Sequence, residues 1–374
     1  MPEVSAKRSE FLSFQPPAIT EAEIEAVAET LRSGWLTTGP RTAELEARMR
    51  DYLEATHVLA VSSCTAALHL SLVALGVGPG DEVITSSLTW PATANVIVHA
   101  GATPLFADIR DDTLNIDPDS AARLVNARTK AIVPVDLYGQ PADLDELAAL
   151  GLPLVEDAAH AAEARYRGRK VGSISDLTCF SLYATKNIAA GEGGLIATNR
   201  DDLADALDDL RVMRRGHGSL YDIAVPGYKA NLSDVLSSIA LVQLDKVEEH
   251  AAIRRRHAAI YEEGVADLEG VEPVARDPRD GHANHLFVVR ITFADRDDVQ
   301  QALTEENIGT SIHFLPVHRL SAYRERLAPH QPALPVTERA GAEVLSLPFS
   351  PAHSDDDVRD AVAALRRVHA RLAG

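Results

Sequence analysis

The sequence predicts an α/β protein built around a mainly parallel β-sheet, with a second, smaller α+β domain toward the C-terminus. Short apolar runs alternate with helical patterns from about residue 57 to residue 200, which is typical of parallel strands connected by helices. With 46% hydrophobic and 24% charged residues, the composition is that of a core-forming soluble protein. At ~150 residues per domain, a chain of 374 residues corresponds to two or three domains.

The first two thirds of the chain contain the predicted strands of this sheet. An arm and a first helix are expected in residues 1–30, and a helix at 65–75 is ended by Gly76. Further helices are expected at about 117–126 and 143–150. The apolar runs that predict strands are 58–61, 82–86, 103–107, 130–135, 153–156, 177–182 and 193–198. Ligands of open α/β sheets gather beyond the carboxyl ends of the strands, so polar residues after these runs are the first site candidates.

The last third of the chain predicts a different architecture. Apolar residues at helical spacing from Ser233 to Glu262 predict one long helix that leads into the smaller domain. The predicted elements of that domain are strands at 286–293 and 310–315 and helices near 297–306 and 354–372. We therefore predict an N-terminal arm and large domain in residues 1–250 and a small C-terminal domain in residues 251–374.

Charge and cysteine content narrow the class of partner. Lys and Arg number 36 against 55 Asp and Glu, a net charge of −19, which argues against general binding to a nucleic-acid backbone. The two cysteines, Cys64 and Cys179, form no disulfide framework and suit a reducing cytoplasm. Residues 83–107 lack Asp, Glu, Lys and Arg, yet polar residues and Pro91 interrupt them. We expect a buried strand–loop–helix–strand unit there, and a cytoplasmic protein without a membrane, nucleic-acid or metal partner.

Lys186 is the first candidate for chemistry. It lies just past an apolar run, within the segment SLYATKNIAAGEGG at 181–194, which is rich in small residues and glycine. Most lysines in such positions are solvated loop residues. A lysine buried at a strand end can instead form a Schiff base, and the local sequence alone leaves both interpretations open.

Asp157 and His160 are the second candidate pair. Asp157 ends a predicted buried strand, and His160 follows three residues later. An N-cap aspartate beside a structural histidine is a common arrangement. The functional alternative is a carboxylate that keeps the ring nitrogen of pyridoxal phosphate (PLP) protonated, as this cofactor requires to act as an electron sink.

A turn between the first strand and the following helix is the third candidate. Ser63 lies there, where free backbone N–H groups and the helix dipole favour a phosphate, although an ordinary serine cap explains the same pattern. Trp90 follows the strand at 82–86. Core packing is the usual role of tryptophan, but its flat ring can also stack on a planar cofactor.

The turn, the aromatic ring, the carboxylate and the lysine follow one another in the order 63–65, 90, 157 and 186. In this order they resemble the DegT/DnrJ/EryC1/StrS sugar aminotransferases, which are PLP-dependent transferases of fold type I, the aspartate aminotransferase-like fold. The resemblance extends over nearly the whole chain. The matching segments are SGWLTTGP (33–40), YGQPAD (138–143), EDAAHA (156–161), ATKN (184–187), GEGG (191–194), GYKANLSD (227–234) and SLPF (346–349).

The resemblance implies catalytic roles for three residues and a stacking role for a fourth. Lys186 would form the Schiff base with PLP and move the proton between the substrate carbon and the cofactor. Asp157 would pair with the pyridinium nitrogen. His160 would lie beside the phenolic oxygen of the ring, where many relatives have glutamine, and Trp90 would stack on the ring.

The resemblance also implies how the cofactor phosphate is bound. Ser63, Cys64 and Thr65 would form the phosphate turn, in which Cys64 and Thr65, where relatives usually have Gly-Thr, would offer backbone N–H groups. Ser181 would donate its hydroxyl to the phosphate. Asn231 resembles an asparagine that relatives supply from the neighbouring subunit, which implies a homodimer with shared active sites.

One departure from the family pattern concerns the substrate. Many members have GYNxR where this chain has GYKAN, and the variant is similar to that of the UDP-4-amino-4-deoxy-L-arabinose aminotransferases and related 4-aminating enzymes. Lys229 would then contact a nucleotide diphosphate, with a solvated surface lysine as the alternative. His313 and His318 match a segment near the substrate mouth of relatives, and core or surface roles are the alternatives for both.

The function that the resemblance implies is amination of a nucleotide-linked keto-deoxysugar, at C4, with L-glutamate as the amino donor. Amination of a 3-keto sugar is an alternative, and so is sugar dehydration by PLP, although dehydrating relatives have histidine in place of the lysine. A non-catalytic PLP-binding regulator is a third alternative. The sequence does not distinguish a UDP-linked from a dTDP-linked sugar.

Overall fold

A computed structural model of the chain describes residues 7–213, 223, 225–327 and 332–373. The first six residues of the predicted N-terminal arm therefore lie outside the described residues. None of the helices within these ranges is long and apolar enough to cross a bilayer.

A mainly parallel sheet forms the centre of the molecule, as the sequence predicts. Its strands follow the order β3-β2-β4-β5-β8-β9-β1, and β9 is antiparallel to both of its neighbours. Backbone bridges from Ile132 to Leu154 and from Val135 to Asp157 connect β4 to β5. A short hairpin, β6 with β7, follows β5. The bounds are β1 (His57–Val61), β2 (Glu82–Ser86), β3 (Thr103–Ala107), β4 (Thr129–Val133), β5 (Val155–Asp157), β6 (Arg165–Tyr166), β7 (Arg169–Lys170), β8 (Leu177–Ser181) and β9 (Gly194–Thr198).

Helices cover both faces of this sheet because its strands are apolar on both sides. In β1, Val58 and Ala60 pack in one core cluster with the helices at 40–53 and 234–245. Leu59 and Val61 pack in another cluster with the helices at 64–74, 91–99 and 201–212. This two-sided burial is typical of parallel sheets. The helices of this part are α1 (Glu21–Ser33), α2 (Pro40–Leu53), α3 (Cys64–Ala74), α4 (Pro91–His99), α5 (Pro118–Ala122), α6 (Leu144–Ala148), α7 (Asp201–Val212) and α8 (Asp234–Asp245).

The C-terminal part is smaller and contains an antiparallel sheet. Strands β10 (Val271–Pro273), β11 (Phe287–Ile291) and β12 (Val344–Leu347) pair in the order β10-β11-β12. The segment around Leu12 reaches across the molecule and pairs with Ile308. The helices of this part are α9 (Val247–Val265), α10 (Arg296–Glu305), α11 (Ser321–Leu327), α12 (Pro335–Glu343) and α13 (Asp355–Leu372).

Two expectations about secondary structure are wrong. The single helix predicted from 233 to 262 is two helices that end and begin at Lys246, whose ammonium donates to Glu23 and Thr20 of the N-terminal region. The strand predicted at 310–315 makes only one isolated bridge, from Ser311 to Ser346. Helix α9 runs without interruption through residue 250, and the division of domains at that residue stays a prediction.

Candidate active site

A cavity of about 510 Å³ opens beyond the carboxyl ends of the parallel strands, where the fold class places ligands. The larger part supplies most of its walls, and the segment 311–314 of the C-terminal part covers one side. Nine of the twelve residues predicted from the sequence line it: Ser63, Cys64, Thr65, Trp90, Asp157, His160, Ser181, Lys186 and His313.

Asp157 lies at the bottom of this cavity, at the end of β5. Its carboxylate accepts hydrogen bonds from the Thr93 hydroxyl at 2.8 Å and from the Ala159 N–H at 3.3 Å, and the Cys64 thiol lies 3.9 Å away. Burial raises the pKa of Asp157, while the bond from Thr93 opposes that rise. A buried carboxylate is stabilised most by a cationic partner, so this site favours a positively charged ring nitrogen.

Lys186 follows β8 and projects into the same cavity. Its backbone N–H donates to the Tyr183 carbonyl, which closes a tight turn after the strand. Burial of the amine lowers the pKa of Lys186 to about 8, although the nearby Cys64 and Asp157 oppose the shift. A lysine with this pKa has a reactive neutral amine near physiological pH, as Schiff-base chemistry requires.

The N-terminus of α3 forms a cradle for an anion. The Ser63 hydroxyl accepts from the Ala66 N–H at 3.0 Å, which leaves the N–H groups of Cys64 and Thr65 without an acceptor inside the helix. Gly194 permits the close approach of β9, since a Cβ there would lie 2.5 Å from the Ser63 carbonyl carbon. Together with the Ser181 hydroxyl, this cradle fits the phosphate of PLP.

His160 and Trp90 also line the cavity. The Tyr138 N–H donates to His160 Nδ1 at 3.2 Å, and Tyr138 adopts the left-handed backbone conformation with φ of 60°. Burial, together with the nearby Lys186 ammonium, lowers the pKa of His160 well below its usual range, so its ring is neutral. Trp90 lines the cavity and is 64% exposed, so its ring can stack on a planar ligand.

His313 lines the cavity beside Phe314, and its Nδ1 lies 2.8 Å from the Ser346 hydroxyl. Burial lowers the pKa of His313 to about 4. His318 does not line the cavity. Its Nδ1 lies 2.8 Å from the Ser87 hydroxyl, and its Nε2 lies 3.3 Å from the Glu338 carboxylate.

Lys229 and Asn231 also lie outside the cavity wall of their own chain. The Lys229 ammonium donates to Asn231 Oδ1, and Asn231 Nδ2 donates to the Thr38 hydroxyl. That hydroxyl donates in turn to the Leu232 carbonyl at 2.5 Å. The resulting row of Thr38, Lys229 and Asn231 is called the outer rim below.

Among the cavity residues that the sequence analysis did not identify, Thr93 and His285 contact predicted site residues. Thr93 contacts Asp157 from the first turn of α4, three positions after Trp90, and that helix start was a signal that could have identified it. His285 lines the cavity and its ring centroid lies 4.3 Å from that of His160. No local pattern marks His285, because it reaches the site from the segment that precedes β11.

Comparison with known proteins agrees with this geometry. The chain is 42% identical to the spore coat polysaccharide biosynthesis protein SpsC of Bacillus subtilis, over 97% of this chain and 98% of that protein. It superimposes on the PLP form of a sugar aminotransferase from Streptococcus pneumoniae with a TM-score of 0.91 and 32% identity, covering 97% and 99% of the two chains. It superimposes on DesI, solved in the presence of its TDP-sugar product, with a TM-score of 0.90 and 34% identity, covering 100% and 95%.

The family and its cofactor follow from these matches. The sequence profile of the DegT/DnrJ/EryC1/StrS aminotransferase family matches residues 17–366, nearly the whole chain. Solved relatives contain PLP or its amino form, and the cradle, carboxylate and lysine of this chain fit the same group. The chain therefore belongs to the DegT/DnrJ/EryC1/StrS family and is a PLP-dependent sugar aminotransferase.

Proposed function

We propose that this enzyme moves the amino group of L-glutamate to the keto carbon, C4, of a nucleotide-linked keto-deoxysugar, and that it works in the cytoplasm as a homodimer. The observation that supports this most is one cavity that combines a phosphate cradle, a buried carboxylate and a lysine of lowered pKa. The likeness to DesI, which was solved with a TDP-sugar product, supports a nucleotide-linked substrate.

PLP, when bound, supplies an electron sink for the electron pair left when a substrate C–H bond breaks. Lys186 would anchor the cofactor and, once free, carry the proton between substrate and cofactor carbons. With a pKa of about 8, about a tenth of its amine is neutral at pH 7 and able to accept that proton. Asp157, oriented by Thr93, would hold the proton on the ring nitrogen.

The remaining cavity residues would position the cofactor. Backbone N–H groups of Cys64 and Thr65 and the hydroxyls of Ser63 and Ser181 would bind its phosphate. Trp90 would stack on one face of the ring. His160 would donate a hydrogen bond to the phenolic oxygen, because its Nδ1 already accepts from Tyr138.

The outer rim supports the proposal of shared sites. Asn231 is bridged to Val61, close to the phosphate turn, but its side chain does not line the cavity of its own chain, which agrees with a contact to the phosphate in a second chain. Trp35 and Leu36, next to Thr38, are 54% and 50% exposed and would pack against the second chain. Lys229 and His313 would then face the sugar nucleotide, with Lys229 on its diphosphate. His318 is hydrogen-bonded to Ser87 and Glu338, and its role would be to position the cavity entrance and not to contact the substrate.

The test is a half-reaction with a panel of keto sugars. Enzyme first converted to the amino form with L-glutamate is mixed with 4-keto and 3-keto sugars, each linked to UDP and to dTDP, and return of PLP absorbance is followed. We expect the fastest return with a 4-keto sugar and none in a matched Lys186→Ala sample. Preference for 3-keto sugars would overturn the C4 assignment. Loss of a sugar hydroxyl without net amination would indicate a dehydratase, and no turnover of any sugar or of glutamate would favour a regulator.

A further inference from the structure

The His160 and His285 rings form a pair in the cavity wall, with centroids 4.3 Å apart and an angle of 31° between the planes. His285 is 2% exposed and His160 is 8% exposed. Both rings line the cavity, and within the described residues neither Nε2 atom has a hydrogen-bond partner. The ring that His160 presents to the cofactor is therefore packed against a second imidazole.

The hydrogen bonds around His285 determine which of its nitrogens carries the proton. Its Nδ1 lies 2.9 Å from Asn187 Oδ1. Asn187 Nδ2 donates to the Glu163 carboxylate at 2.7 Å and to the Ala283 carbonyl at 3.0 Å. Turning the amide round would place its oxygen against two acceptors, so Oδ1 must face the histidine. His285 Nδ1 is therefore the protonated nitrogen, and Nε2 has a free lone pair.

The opposite assignment holds for His160. Its Nδ1 accepts from the Tyr138 N–H at 3.2 Å and is therefore unprotonated. Burial lowers the pKa of both histidines well below the usual range, so each ring has one proton. The proton of His160 is consequently on Nε2, and this ring is a donor toward the cavity.

A buried ion pair fixes the position of His285. Glu163 accepts from Asn187 and forms an ion pair with Arg254 at 3.1 Å, and both side chains are less than 10% exposed. Rotation of the amide that orients His285 would break its hydrogen bond to the buried Glu163 carboxylate, which Arg254 holds in place from the other side. This row therefore starts at an ion pair behind the site and ends at the ring packed on His160.

We propose that His285 is a positioning residue of the cofactor site, which is oriented by the Asn187–Glu163–Arg254 row and fixes the plane of His160 so that its Nε2–H points at the cofactor ring. This inference rests on the proposed place of His160 beside the phenolic oxygen. Asn187, Glu163 and Arg254 would thus orient His285, although none of the three takes part directly in a step of amino transfer.

Two substitutions separate the stacking contact from the hydrogen bond. His285→Phe and His285→Leu both remove the bond to Asn187, but only phenylalanine keeps a flat ring against His160. We expect PLP to bind His285→Leu roughly threefold to tenfold more weakly than His285→Phe, the range for an aromatic pair. The absorbance maximum of bound PLP should shift in the leucine variant and stay near that of the wild type in the phenylalanine variant.

His282→Leu is the matched control, because His282 belongs to the same segment but lines a different, smaller cavity. Equal PLP affinity and equal spectra in His285→Leu and His285→Phe would overturn the proposal. The same loss in His282→Leu would also overturn it, since the effect would then come from the segment as a whole.

A measurement on the wild-type holoenzyme does not depend on the folding of any variant. Nitrogen-15 NMR of histidine-labelled protein should show His285 protonated on Nδ1 and His160 protonated on Nε2. Any other pair of tautomers, or a cationic ring, would overturn the proposal. Both tests are independent of sugar turnover, so their failure is distinguishable from failure of the proposed substrate.

Discussion

The residues at the bottom of the cavity face the cavity of their own chain, whereas the residues of the outer rim do not line that cavity. At the bottom, Asp157 and Lys186 face the cavity and the bonds that orient Asp157 come from its own chain. At the outer rim, Thr38, Lys229 and Asn231 bond to one another and do not line that cavity. The residues proposed for cofactor chemistry thus face one cavity of a single chain, whereas the role proposed for the rim involves a second chain.

The largest effect is expected at the bottom of the cavity. Lys186→Ala should abolish overall transamination, because the variant loses both the anchoring amine and the proton carrier. Turnover with L-glutamate and a keto sugar measures this, and circular dichroism together with gel filtration shows whether the variant keeps its fold and assembly. Turnover near that of the wild type would remove Lys186 from the mechanism.

Asp157→Asn should produce the next largest loss. The amide keeps the size and the bond from Thr93 but loses the charge that holds a proton on the ring nitrogen. We expect kcat to fall about 10²-fold or more, as for removal of a specific electrostatic contact. Steady-state kinetics with saturating PLP measures it. If kcat stays unchanged, Asp157 acts only as a cap after β5.

The outer rim is tested by mixing two damaged chains. Asn231→Ala should be strongly impaired alone, and Lys186→Ala should be inactive. If Asn231 binds phosphate in the partner's cavity, each mixed dimer has one site with both defects and one with neither. Random exchange puts about half of the dimers in the mixed class, so activity should approach roughly a quarter of the wild-type value per chain.

Controls for this experiment are evidence of subunit exchange and the weakness of the asparagine variant alone. Activity that stays at the level of the unmixed variants, despite exchange, would remove the cross-subunit role proposed for Asn231.

The sequence predicted the bottom of the cavity because short segments determine it. An apolar run followed by polar residues places Asp157 at the end of β5, and a capped turn places Ser63 before α3. Contacts between distant segments could not be predicted in this way. The helix break at Lys246 depends on Glu23, which lies 223 positions away, and His285 depends on Asn187, which lies 98 positions away. Local periodicity contains no information about either partner.

The smallest effect is expected for a pair of buried carboxyl groups next to Asp157, at the bottom of the cavity. Asp136 and Glu156, the neighbour of Asp157 on β5, are fully buried and close enough to share a hydrogen bond. Asp136 Oδ1 accepts from the Ala142 N–H, and Glu156 Oε2 accepts from the Thr178 hydroxyl. The other two oxygens, Asp136 Oδ2 and Glu156 Oε1, make no hydrogen bond of good geometry among the described residues, although the Ser175 hydroxyl lies near Glu156, so one shared proton would satisfy both.

The pH dependence of stability tests this pair. Burial raises the pKa of both carboxyls, and the charge of Glu156 raises that of Asp136 further. The folded chain therefore keeps a proton that the unfolded chain releases, and the contribution of the pair to stability decreases as pH rises above the unfolded pKa of ~4.

Asp136→Asn supplies an amide donor to Glu156 without a titratable proton, so the Tm of this variant should fall less than that of the wild type between pH 5 and pH 8. One pKa unit is ~1.4 kcal/mol, which moves Tm by roughly 2 °C in a chain of this size. Asp205→Asn, at an exposed position of α7, is the control and should follow the wild type. Parallel Tm curves for wild type and Asp136→Asn would show that the two carboxyls share no proton.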